Sequence, residues 1–345
     1  MRRPGCAQWS VKRATGNLNL AMDPNEWLEV VRREYLQGFV HDGGAAVKFV
    51  VPATPEARRH LRAGLHRAAE QHGFQFAAVD AESTKIHLIE QLFFAVARQL
   101  DWDALARAFL ARSLAAMGFR LPEARGARDD RSLAALAALN DYPEPLFYTE
   151  VSRRVANLLL RDYALAREFR LAMLRLCLAQ LDPAEDPTLH EAVKQWLVGE
   201  LRLVSGVKRA LIFQKIARHN ARHLLFSLAR WLKAAGKSGL VLALDIARYA
   251  DAARPSERGP GLYYSTTAVL DAYEVLRQLI DATDELEHCF VGVLASPEFL
   301  ADDRRGLRRY HALHLRVSDE VRDRYRPNPF ASLVRVADRR SPPER

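Results

Sequence analysis

Two short blocks of strand and helix alternation, separated by a long helical stretch, constrain this chain more than any other feature of it. In the first block, Gly43-Gly44 turns the chain into an apolar run over 46–51, and a basic amphipathic segment over 56–72 is stopped by Gly73. Phe74 to Asp80 reads as a second strand, and a helical pattern follows from about Ile86 to Leu100. In the second block, strands over 239–245 and 289–294 flank a helix over 265–281. Such alternation predicts an α/β protein with a parallel sheet, because parallel neighbours need a crossover and the crossover helix covers the sheet face.

Between the blocks, residues 101–235 carry apolar side chains at spacings of three and four, the period of helices. Breaks fall at Gly118, in the charged stretch 123–131, at Asp141-Tyr142-Pro143-Glu144-Pro145 and over 182–187. The stretch therefore predicts a large helical insertion between a first part of the core, 22–100, and a second part, 236–336. A helix over Glu26 to His41 opens the core. A helix near 316–324 and the loop Arg326-Pro327-Asn328-Pro329 close it. Residues 1–21 and 337–345 are expected to be a disordered extension and tail.

With 49% hydrophobic residues in a chain of 345, there is enough apolar surface for one large domain or two packed ones. Apolar runs stay strand-sized, short of the roughly 20 residues of a membrane span, so no membrane contact is expected. Cys6, Cys177 and Cys289 lie far apart without a C-x-x-C pair, which argues against a zinc site or disulfide framework and fits a reducing cytoplasm. The formal charge of +9 is unevenly placed, since residues 1–21 hold Arg2, Arg3, Lys12 and Arg13 and no acid. Met22-Asp23-Pro24 has the form of a helix start. Two expectations follow: Met22 is the biological start, or the preceding residues are an arm outside the fold.

The chemistry centres on two strand ends. Val47-Lys48-Phe49-Val50-Val51 runs into Pro52-Ala53-Thr54-Pro55-Glu56-Ala57-Arg58-Arg59-His60 and a helix, the place of a P-loop. A P-loop needs G-x-x-x-x-G-K-[ST], whose glycines let backbone N–H groups curl around phosphate and whose lysine neutralises it. No glycine stands between Gly44 and Gly64. Downstream, Ser238-Gly239-Leu240-Val241-Leu242-Ala243-Leu244-Asp245 reads as a buried strand ending in an acid, the form of a magnesium-associated Walker B strand.

Several segments in order carry a family resemblance: Val31-Arg32-Arg33-Glu34-Tyr35, Gly43 to Val50, Ile212-Phe213-Gln214-Lys215, Tyr263-Tyr264-Ser265-Thr266, Asp281 to Glu287 and Arg326 to Arg335. Over roughly 25–336 the chain resembles the ATP-binding P-loop proteins of BREX bacteriophage-exclusion systems. The resemblance implies an AAA+-like core and a role in an antiphage complex beside a DNA methylation module. It also implies other defence subunits as partners, homo- or hetero-oligomers, and ATP with magnesium as cofactors.

Relatives with an intact loop carry a G-x-x-G-S-G-K-T stretch directly after the K-F-V strand. Ungapped alignment puts Arg58 at the lysine position and Arg59 at the hydroxyl position, with Pro52, Pro55 and Ala57 where glycines would stand. Proline has no N–H to donate, and the hydroxyl that would hold magnesium is gone. Glu56 in the first helical turn would itself occupy the positive helix end. After Asp245, Ile246 replaces the glutamate that activates water in AAA+ enzymes. Ser296 sits at a sensor-1 position, or else caps a helix starting at Pro297. Arg304, Arg305, Arg308 and Arg309 read as an arginine finger supplied in trans, as a contact to nucleic-acid phosphate or an acidic partner, or as a solvated face. Arg335 matches a sensor-2 position.

Other signals are weaker. His87, His219 and His223 sit in helical patterns, and the last two have a spacing that can seat a metal, but there is no H-E-x-x-H signature. Lys208 to Arg222 reads as an amphipathic helix with Arg209, Lys215, Arg218 and Arg222 on its charged side, a candidate DNA contact. Two functional readings follow. One is a pseudo-ATPase that serves as a scaffold or as a DNA- or partner-binding component. The other is a divergent active ATPase that uses Arg58 and Arg59 with groups from a neighbouring subunit.

Overall fold

The computed structural model describes residues 21–122, 133–182, 186–251, 261–318 and 327–337. Apart from Ala21 and Ala337, the extension 1–21 and the tail 337–345 lie outside the described residues, as do 123–131, Arg326 and the latter part of the helix expected near 316–324. The chain divides into two compact units, one from Met1–Leu92 with Ser238–Arg345 and one from Phe93–Lys237.

Among the described residues, the first unit contains one parallel sheet of β1 (Ala45–Pro52), β2 (Gln75–Asp80), β3 (Leu240–Asp245), β4 (Cys289–Leu294) and β5 (Leu333–Val336). Their spatial order is β2-β3-β4-β1-β5. The helices along the whole chain are α1 (Pro24–Val30), α2 (Pro55–Gln71), α3 (Ile89–Ala97), α4 (Trp102–Ala116), α5 (Leu133–Leu139) and α6 (Glu144–Leu160). They continue as α7 (Arg167–Leu181), α8 (Pro187–Val198), α9 (Ala221–Ala234), α10 (Thr266–Asp281), α11 (Glu298–Ala301) and α12 (His311–Val317). No described helix is long and apolar enough to cross a membrane.

Strands β1, β3 and β4 are buried almost throughout, as central parallel strands must be. On one face, Ala46, Val50, Val241, Ala243, Phe290 and Leu294 pack with Trp27, Leu61 and Leu65 in a continuous core. On the other, Phe49 stacks on Phe299 at 5.8 Å, and Tyr273 meets Phe299 edge-on. β1 leads through α2 toward β2, whereas β4 leads through α11 and α12 toward β5. The two connections depart in opposite directions, so the carboxyl ends of β1 and β4 form the sheet's switch point, the usual ligand position in open α/β sheets.

One helix differs from expectation in this unit. The helix expected over Glu26 to His41 is α1 followed by a π-helical run, Val31–Phe39. Its buried residues Trp27, Val31, Leu36 and Val40 are spaced four, five and four apart, and the five-residue step winds the helix wider, with Val40 N–H donating to Tyr35 O at 2.8 Å. At the far edge, Met22 is buried and bridges Val336 in parallel, its N–H donating to Arg335 O at 2.9 Å. Arg335 itself lies in β5, opposite Val51.

The second unit is helical. α7 packs against α4, α6 and α8, burying Phe169, Ala172, Met173, Leu176 and Cys177. Asp101 and Asp186 cap α4 and α8 through Ala104 N–H and Leu189 N–H. Ser227 is fully buried yet satisfied, accepting from Ala166 N–H and donating to His223 O, each at 2.8 Å. The amphipathic helix expected over Lys208 to Arg222 does not form: Val204–Ala210 is a 3-10 helix, Leu211 is left-handed, and α9 begins only at Ala221.

Candidate functional site

At the switch point, β1 and α2 are joined by Ala53 and Thr54 alone. Thr54 is the N-cap and Pro55 takes the first helical position, a strong local helix start. No arch of free N–H groups is left to receive phosphate. Ala53 N–H donates to Val336 O at 2.9 Å and Arg58 N–H to Thr54 O at 3.1 Å. Ala57 N–H donates to Thr54 Oγ1 at 3.1 Å, and the Glu56 carboxylate takes its own backbone N–H. That N–H is the first reason the Glu56 pKa is lowered, with Arg59 second.

One turn further, Arg58 reaches across to the end of β3. Its Nε lies 3.1 Å from Asp245 Oδ2, with side-chain exposures of 24% and 13%. The other carboxylate oxygen accepts from Ala247 N–H at 3.1 Å. Burial raises the Asp245 pKa above the usual carboxylate value, and the like charge of Asp80 adds to it; the Ala247 N–H, Arg58 and Arg62 pull the other way. Asp80 ends β2 directly opposite Asp245 in register, and Arg62 Nη1 lies 3.8 Å from its Oδ2. Two carboxylates at adjacent strand ends thus face two guanidinium groups spaced four apart on α2, an arrangement that offsets like-charge repulsion across the sheet. Sequence reasoning missed Asp80 and Arg62. The visible signals were the second strand ending in Asp and the i, i+4 spacing from Arg58.

The other expected site residues do not converge on this pair. Arg59 turns to solvent, where it pairs with Glu56 at 2.8 Å. Ile246 is buried, its N–H donating to Leu294 O at 2.9 Å. Ser296 follows β4, which stands between the two site strands. Its hydroxyl does not cap α11; it is buried without a hydrogen-bond partner among the described residues. Together with Tyr249, whose hydroxyl is also unpartnered, it lines a cavity of about 10 Å³, room for a single water at most.

The four arginines after β4 separate. Arg305 is only 6% exposed; its Nη1 donates to Asp251 O at 2.8 Å, its guanidinium lies over the Tyr263 ring, and Tyr273 OH donates to its carbonyl at 2.6 Å. Such a side chain ties loops together and is not free to reach another subunit. Arg304, Arg308 and Arg309 are exposed and make no side-chain ion pair among the described residues. His219 stands in a turn before α9 and faces Gln214, and no three described His, Cys, Asp or Glu side chains gather as a metal site.

These residues do not fit a magnesium nucleotide. The phosphate cradle is absent, its lysine and hydroxyl positions are arginines, and the acid that would accompany the metal is already engaged by Arg58. The sheet order and the position of the site nevertheless define the class, a P-loop-type α/β protein. The chain belongs to the BREX system ATP-binding protein BrxC/D family, whose model matches residues 144–338. The matched region holds Asp245, Ser296 and the arginines after β4, while β1 and α2 precede it. Comparison with curated proteins and with solved structures gave no match.

Proposed function

We propose that this chain is a BREX subunit that keeps the P-loop ATPase fold without hydrolysing ATP and acts in the cytoplasm as a scaffold for other defence subunits and for DNA. The observation that carries the reading is the Arg58–Asp245 pair: a guanidinium engages the strand-end carboxylate that a metal ion would need, and Ile246 follows that carboxylate in place of a glutamate. Loss of the glycines, lysine, hydroxyl and glutamate together is one change under this reading and four separately compensated changes under an active-enzyme reading. Arg304, Arg308 and Arg309, exposed and unpaired among the described residues, support phosphate contact.

The test is ATP turnover by the full chain alone and mixed with the other subunits of its BREX system, beside the Asp245→Asn variant. The expected result is background turnover alone, and a mixture whose rate does not change with Asp245→Asn. Turnover that this substitution abolishes would instead establish a divergent ATPase completed by a neighbour. For the DNA part, duplex binding should fall steeply with salt and weaken in an Arg304→Ala/Arg308→Ala/Arg309→Ala variant. Absence of binding even at low salt removes DNA from the reading.

A further inference from the structure

The segment 201–223 of the helical unit contains Arg202, Lys208, Arg209, Lys215, Arg218 and Arg222 and no acid. Up to the start of α9 at Ala221 it is a 3-10 turn and a loop, pinned in place. Val207, Ala210, Ile212 and Ile216 anchor it in the core. Trp196 Nε1 donates to Gln214 O at 2.9 Å, Lys215 Nζ to Arg202 O at 2.9 Å, and Asn220 Nδ2 to Lys215 O at 3.1 Å. The second of these bonds brings residue 202 against residue 215, so Leu203 and Phe213 ride on adjoining stretches of chain.

Despite this anchoring, three large apolar side chains stand in water: Leu203 is 71% exposed, Leu211 52% and Phe213 58%. Leu211 also holds a left-handed backbone, φ 61°, which is strained for a residue with a branched side chain. An ordered loop that spends strain to display apolar side chains among cations has the form of an interface, since monomer surfaces seldom gather such groups.

We infer that this loop docks another protein, one that offers an apolar hollow bordered by carboxylates. Charge complementarity sets the border: Arg209 pairs with Asp186 at 2.8 Å, but Arg202, Lys208, Lys215, Arg218 and Arg222 make no ion pair among the described residues, which leaves a like-charged surface to be matched. Two of the three displayed residues are aliphatic, and a nucleic acid has no place to bury them: bases stack on aromatic or guanidinium planes, and phosphates stay hydrated. A second copy docking through the same patch would bring its six cations against these six.

Interferometry of the immobilised full chain against each other purified subunit of its BREX system tests this. Leu203→Ser/Phe213→Ser removes two anchors, Leu211→Asn keeps a residue that tolerates the left-handed backbone, and Lys208→Glu/Arg218→Glu reverses charge at the border. Circular dichroism melts check that each variant is folded. One subunit is expected to bind, with roughly tenfold or greater weakening in each apolar variant. The charge variant is expected to slow association and reduce its salt dependence. The inference is overturned if no subunit binds, if Leu203→Ser/Phe213→Ser binds as the parent does, or if the variants instead abolish self-association in sedimentation or binding to DNA.

Discussion

Arg58 and Asp245 should be coupled in stability, and a double-mutant cycle measures by how much. At 3.1 Å and an effective dielectric of about 20, the attraction is about 5 kcal/mol before desolvation is charged against it. Desolvation is large, since burial raises the Asp245 pKa in spite of the pair, and a net coupling of about 1–3 kcal/mol remains. Arg58→Ala leaves a buried carboxylate with the Ala247 N–H, the more distant Arg62 and the like charge of Asp80; a cost of about 2–3 kcal/mol is expected. Asp245→Asn keeps an acceptor for Ala247 and frees a partly exposed arginine to turn to water, at about 1 kcal/mol. The pH dependence carries a sign. A carboxyl whose folded pKa lies above its unfolded value loses stability as pH rises from the unfolded value through the folded one. Arg58→Ala raises the folded value further, so its deficit is greatest above that value and shrinks on acidification. Urea-dependent amide exchange of β3, read by mass spectrometry at two pH values, reports the unfolding free energy of this unit. A coupling below about 0.5 kcal/mol, or a deficit that grows on acidification, refutes the reasoning.

Three further outcomes are expected. Gly239, at φ 144°, leads into β3, where an added Cβ would lie 2.1 Å from His288 O; Gly239→Ala should cost about 3 kcal/mol or more and show as loss of soluble folded protein. Arg305→Met should cost about 2–4 kcal/mol in a urea melt by leaving the Asp251 and Tyr249 carbonyls short of a donor, whereas Arg304→Ala, Arg308→Ala and Arg309→Ala should each stay within about 0.5 kcal/mol. The Arg277 guanidinium, with Tyr310 OH and Gln278, outweighs burial and holds the Glu274 carboxyl at about 2, below its ordinary 4.5. Its contribution is therefore present above pH 4.5 and lost as pH falls toward 2; Glu274→Gln should destabilise by about 1–2 kcal/mol at neutral pH and not at pH 2, as read from melting curves across that range.

The sheet was legible because its central strands are apolar but for Lys48 in β1 and Asp245 at the end of β3, and alternate with amphipathic helices. β5 was not, because four residues with Arg335 among them carry too little pattern to separate a strand from a terminal loop. In the segment 208–222, apolar and basic residues fall at helix-like spacings, yet the side chain of Asn220 accepts from Ala217 N–H and Leu211 takes a left-handed turn, so the helix starts only afterward. At the site, Arg58 and Asp245 were visible one at a time. Their direct pairing depends on β1 and β3 lying in one sheet with β4 between them, which no local pattern encodes. The arginine run shows the same limit: Arg304, Arg305, Arg308 and Arg309 are close in sequence, but a turn and a 3-10 helix point Arg305 inward and leave the others in water.

Whether a guanidinium has displaced the metal nucleotide is read most directly by calorimetric titration of the full chain with ATP and with a non-hydrolysable analogue, with and without magnesium, beside an Arg58→Ala/Arg59→Ala variant. No heat is expected from the folded parent up to high micromolar ligand under either condition. Saturable, magnesium-dependent binding by the parent that the double variant loses would contradict the account and return Arg58 and Arg59 to phosphate recognition.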